Sequence, residues 1–98
     1  MTKLSQAEIQ KNLTALAGWT VAHDKLHREY TFPDFVYAFG FMATAAIAIE
    51  KMGHHPEWSN IYNRVAIDLT THDAGGVTGK DFELASLLEA IAAKLQAK

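Results

Sequence analysis

From residue 35 to residue 49 the chain reads FVYAFGFMATAAIAI, a run without a single charge, with Pro33 and Asp34 just before it and Glu50 and Lys51 just after. The pattern predicts a helix over 34–52. Pro33 and Asp34 suit its first turn, where proline gives up no hydrogen bond and a carboxylate favours the positive end of the helix dipole. Phe35, Phe39, Met42, Ala46 and Ile49 form one apolar stripe, and Val36, Gly40, Ala43 and Ile47 form a second beside it. A helix apolar nearly all round is covered on more than one side. One side can pack on the chain's own sheet, and the other most simply meets the same helix of another copy, with Gly40 and the alanines allowing close approach. The alternative is that the first and third helices cover it. A membrane span is disfavoured, since spanning takes about 20 apolar residues and this run is shorter, holds Tyr37 and Thr44, and has charges directly outside it.

The polar positions punctuate the rest of the chain. Ser5 and Glu8 form a capping box at the start of a first helix, with Ile9, Leu13 and Leu16 on one face and Gly18 as its left-handed end. Trp19 and Val21, then Leu26, Arg28, Tyr30 and Phe32 beyond a His23-Asp24-Lys25 turn, predict a hairpin. After Gly53, two further strands are expected, Trp58 to Tyr62 and Val65 to Thr71, joined near Asn63-Arg64. Val65, Ile67 and Leu69 face one way; Arg64, Ala66, Asp68 and Thr70 face the other. Thr78 and Asp81 make a second capping box, opening a last helix with Leu84, Leu88, Ile91 and Leu95 along one face. This order implies one α+β domain over residues 1–98. Its architecture is α-β-β-α-β-β-α in two layers, a four-stranded, mainly antiparallel sheet with three helices on one face.

Composition narrows the function. A net charge of −2 and a pI near 6.2 give no basic field for nucleic acid. The absence of cysteine removes disulfides, thiolate ligands and thiol nucleophiles, and fits a reducing compartment, so the cytoplasm is expected. The N-terminal MTKLSQAEIQKN lacks the apolar core of a signal peptide. At 98 residues, burial against another subunit would help to stabilise the fold.

The candidate chemistry lies in residues 50–73, EKMGHHPEWSNIYNRVAIDLTTHD, which holds three of the chain's five histidines. An imidazole with an unperturbed pKa of about 6.5 both gives and takes protons near neutrality. His54 and His55 are adjacent and followed by Pro56, so their side chains point in different directions and two roles are expected rather than one. His72, at or just past a strand end, can meet them. Glu50 can orient an imidazole or hold a polar ligand, and Trp58 can stack on a flat ring. Taken singly, each has a plainer reading: a solvated histidine pair at a helix end, a strand-end histidine, a core tryptophan. A metal is not expected, because an adjacent pair followed by proline matches neither the helical nor the strand spacing of histidine ligands. His23 and His27 carry no assigned role.

Together these residues are specific. Glu50, then His54-His55-Pro56-Glu57-Trp58, Tyr62-Asn63, Thr71-His72-Asp73, Gly75-Gly76 and Asp81 resemble the pterin-4a-carbinolamine dehydratase family, as do Asp34-Phe35 and Ala38-Phe39-Gly40-Phe41-Met42 in the long helix. The resemblance covers nearly the whole chain. It departs at Gly53, where members often carry a polar residue. What it implies is a dehydratase acting on 4a-hydroxytetrahydropterins in tetrahydrobiopterin recycling, downstream of an aromatic amino-acid hydroxylase, with no cofactor. It implies catalysis by His54, His55 and His72. His54 and His72 would be the acid-base residues and His55 would bind the ring and assist. Glu50, Trp58, Thr70, Thr71 and Asp73 would line the pterin site. A dimer or tetramer built through the long helix is implied as well. The competing reading is a non-catalytic oligomerising module or regulatory cofactor of a protein partner; animal members also serve a homeodomain transcription factor as dimerisation cofactors.

Overall fold

The computed structural model describes residues 2–98. Its elements run in the order α1 (Gln6–Leu13), β1 (Thr20–Ala22), β2 (Lys25–Thr31), α2 (Phe35–Met52), β3 (Glu57–Ile61), β4 (Arg64–Leu69), a 3-10 turn (His72–Ala74) and α3 (Gly79–Lys94). The strands form one antiparallel sheet in the order β1-β2-β4-β3. Alternation decides its faces. Leu26, Tyr30, Val65, Ile67 and Leu69 are buried on the helix side, while His27, Glu29, Ser59 and Asp68 lie on the opposite, accessible face.

Two-residue turns close both hairpins. His23 and Asp24 both take positive φ, 54° and 60°, the left-handed pair whose twist matches antiparallel strands, so Lys25 belongs to β2 rather than to the turn. The second hairpin closes on the Ile61–Arg64 pair, which puts Tyr62 (φ 52°) in the turn instead of at the end of β3. Asn60 holds that turn, donating to the Tyr62 and Arg64 carbonyls at 3.0 and 2.8 Å. β4 stops at Leu69, before the expected Thr71. Thr71 instead bridges to Gly76 across a tight loop, which lifts His72 out of the sheet into the 3-10 turn.

Both capping boxes form as the sequence predicts. Helix α1 is shorter than expected: it ends at Leu13, capped at Thr14, and Gly18 (φ 89°) belongs to the following turn. Asp34 acts as the N-cap of α2, accepting from the Tyr37 N–H at 2.9 Å, so the helix starts at Phe35 and Pro33 lies outside it.

The core stripe of α2 differs from both predicted stripes. Ala38, Phe41, Ala45 and Ile49 face the sheet and are buried. Phe41 packs against Tyr30 and Phe32, with ring centroids 5.5 and 5.2 Å apart. Phe35, Val36, Phe39 and Ile47 stay 46, 74, 56 and 74 % exposed. With apolar residues on every side, periodicity finds the helix and not its inward face. Helices α1 and α3 leave that outer surface bare. By length and composition α2 is apolar enough to cross a membrane, yet one whole stripe of it forms the core.

Candidate active site

The site is assembled where α2 ends. Gly53, the left-handed C-cap with φ 69°, reverses the chain, and Pro56 sets it into β3. This turn and the loop after β4 enclose a depression of about 280 Å³, lined by Gly53, His54, His55, Thr70, Thr71, His72 and Asp73. A larger hollow beside α1 and α3, about 500 Å³, is lined without any histidine. At Gly53 the positive φ suits glycine, which brings no side chain to the depression.

The adjacent histidines part as expected. His54 turns inward, its side chain 12 % exposed, and its Nε2 lies 2.6 Å from Oδ1 of Asp81, which is fully buried. The second carboxylate oxygen, Oδ2, accepts from the Thr78 N–H at 2.9 Å and from the Thr71 hydroxyl at 2.8 Å. Thr71 and Thr78 share a hydrogen bond of 2.8 Å between their hydroxyls. A carboxylate that deep must find partners, and this one has three, at the positive N-terminal end of α3. Because a carboxylate accepts and does not donate, His54 carries its proton on Nε2 and keeps Nδ1 free.

His55 turns outward, its Nε2 3.1 Å from Oε1 of Glu50, with both side chains exposed. His72 Nε2 lies 3.4 Å from Oε2 of Glu57, and Glu57 Oε1 takes a 2.5 Å hydrogen bond from Lys25 Nζ. That bond, with the charges of Lys25 and His72, holds the Glu57 carboxyl below its ordinary range; the same bond raises the Lys25 ammonium. Each imidazole thus engages a different carboxylate, and among the described residues no group of three or more histidines and acids converges as a metal-ligand set.

The depression therefore gathers His54, His55, His72, Thr70, Thr71 and Asp73. Glu50 reaches it through His55. Trp58 stands apart: it pairs with Ile67 on the helix side of the sheet and meets Phe41 edge-on at 6.4 Å. The Thr70 hydroxyl is spent on the Asp24 carbonyl at 3.0 Å. Asp81 is the member the sequence did not single out for the site. Its capping-box spacing gave it a complete structural purpose, and nothing in a Thr-x-x-Asp pattern announces that the oxygen left over by the cap, Oδ1, faces a histidine.

Known proteins resemble this chain over nearly its whole length. Residues 2–91 match the family model described as pterin 4 alpha carbinolamine dehydratase. A Solibacter usitatus (strain Ellin6076) protein, provisionally named a pterin-4-alpha-carbinolamine dehydratase, is 63% identical over 92 residues, covering 94% of this chain and 97% of its own. A Rhizobium rhizogenes protein of the same provisional name is 50% identical over 94 residues, with 94% and 93% covered. The crystal structure of a transcriptional coactivator/pterin dehydratase from Brucella melitensis superposes with a TM-score of 0.90 at 45% identity, covering 93% of this chain and 99% of that one. The chain belongs to the pterin-4a-carbinolamine dehydratase family.

Proposed function

We propose that this protein dehydrates 4a-hydroxytetrahydropterins, the carbinolamines left by aromatic amino-acid hydroxylases, to quinonoid dihydropterin and water in tetrahydrobiopterin recycling. The bond that breaks is C4a–O and the proton that leaves is the one on N5. The reaction balances with no cofactor. It needs a base at N5 and an acid at the departing hydroxyl, since hydroxide alone leaves poorly.

The observation that carries this reading is the buried pair of His54 and Asp81. With Nε2–H held by the carboxylate, a neutral His54 offers Nδ1 as the base, and the imidazolium that forms is stabilised by Asp81, the logic of any histidine oriented by an acid. His72, exposed at the rim of the depression beside Glu57, is the residue assigned to protonate the leaving oxygen. His55, steadied by Glu50, binds the ring and assists. Asp73, Thr70, Thr71 and Glu50 form the polar rim for the amide and amino edge of the pterin, Thr70 as an acceptor while its hydroxyl donates to Asp24; Trp58 packs on Phe41 in the core instead. Acid-base catalysis of this kind is worth about 10² to 10⁴ in rate.

The test is the ultraviolet absorbance change of freshly generated 4a-hydroxytetrahydropterin with the parent chain, His54→Ala and His72→Ala. The parent should outrun the spontaneous reaction and both variants should fall towards it; three traces matching the spontaneous rate would remove the dehydratase.

We also infer a homo-oligomer, dimer or tetramer, built through α2. Its support is the exposed Phe35, Val36, Phe39 and Ile47, with open space around Gly40. Light scattering should read more than one copy, and a clean monomer at micromolar concentration would contradict it. The cytoplasm is the compartment this reading implies. A second reading, a non-catalytic module acting through a protein partner, draws on that same bare face and on the coactivator name of the Brucella protein.

A further inference from the structure

Glu57 opens β3 opposite Asp68, on the accessible face of the sheet, and Lys25 opens β2 on the same face. The two carboxylate oxygens of Glu57 serve different partners: Oε1 meets Lys25 at 2.5 Å, and Oε2 faces His72 Nε2 at 3.4 Å. The neighbouring acid does not compete for the lysine by contact, because Asp68 Oδ1 is engaged by His27 Nδ1 at 2.9 Å. A regularity spans the whole site. His54 meets Asp81, His55 meets Glu50 and His72 meets Glu57, in every case through Nε2.

We propose that Glu57 is a positioning residue for His72, anchored from the sheet by Lys25, so that the imidazole keeps its proton on Nε2 and leaves Nδ1 for proton transfer. This rests on the dehydratase reading and assigns that reaction a residue outside the depression's lining. The physical need is plain. The His72 side chain is 78% exposed, on a short turn, and an imidazole free to rotate there spends most of its time misaimed. A carboxylate beside Nε2 biases both ring orientation and tautomer. Lys25 fixes the carboxylate and, by holding the Glu57 carboxyl low, keeps it anionic where imidazoles titrate.

Glu57→Gln tests this, since the amide preserves size and an acceptor for Lys25 while presenting an N–H to His72. Two quantities are read on the full chain: the ¹⁵N shifts of the His72 ring, and kcat and KM for 4a-hydroxytetrahydropterin. In the parent the Nε2–H tautomer should dominate. In Glu57→Gln it should give way to a mixture, with kcat lower by roughly threefold to tenfold, KM within about twofold, and a melting curve that moves only slightly, a modest share of what acid-base catalysis supplies. Lys25→Met should reproduce part of the loss and Lys25→Arg should restore it. An active parent with an unaltered His72 tautomer or unaltered kcat in Glu57→Gln would overturn the role of Glu57 alone. A parent no faster than the spontaneous reaction would overturn the dehydratase reading and the role with it.

Discussion

At the inner end of the depression His54 meets a carboxylate that water does not reach, whereas at the outer end His55 and His72 meet Glu50 and Glu57 in the open. The chemical pairing is the same and its consequences are not. Asp81 is satisfied on both oxygens, by His54, Thr71 and the Thr78 N–H, so removing one member strands the others in a place without solvent. Glu50 and Glu57 exchange protein partners for water with little loss, as exposed ion pairs do. At the inner end, therefore, orientation and stability are one property; at the outer end orientation is bought with almost no stability.

Asp81→Ala should show the largest effect. It removes the Asp81 half of the α3 capping box and the partner of His54 together, with a cost of about 3 kcal/mol by urea unfolding, as expected when one side of a buried pair is lost. Asp81→Asn sharpens the contrast. The amide can still accept from Thr78 and Thr71 while turning its NH₂ towards His54, so about 1 kcal/mol should be lost, but kcat should drop by about 10² because His54 is driven to the other tautomer. His55→Ala at the outer end should move stability by less than about 0.5 kcal/mol, with a smaller fall in kcat than at His54.

The smallest effect is a dependence on pH. The Glu57 carboxyl is lowered in the folded state, so its stabilising contribution is present above the unfolded value and lost as pH falls through the folded one. The stability difference between the parent and Glu57→Gln should therefore be greatest near neutrality and vanish under acid, measured by unfolding at stepped pH. A difference that grew under acid would contradict the pairing.

The same contrast between interior and surface explains what could be read from the chain. Ser5-Glu8 and Thr78-Asp81 declare helix starts because a capping box uses local spacing, and Val65-Ile67-Leu69 declares a core face because a half-buried strand has period two. The inward stripe of α2 was not legible, since Ala38 and Phe41 differ in no sequence property from the exposed Val36 and Phe39. At the site, the family resemblance named His54, His55 and His72 together, and all three line one depression. Which of the adjacent pair turned inward depended on Gly53's left-handed φ and on where α3 docks, both tertiary facts. Asp81 stayed hidden for the same reason, as a helix cap whose other oxygen finds its partner 27 residues away in sequence.

The central claim is that His54 and Asp81 act as one unit in proton transfer. It is tested most directly by a double-mutant cycle in kcat for 4a-hydroxytetrahydropterin dehydration, with His54→Ala, Asp81→Asn and the pair combined. The predicted result is that the double variant is no slower than His54→Ala alone, because orienting an absent imidazole has no value. Losses that multiply would mean that Asp81 serves catalysis without passing through His54, and would contradict the account.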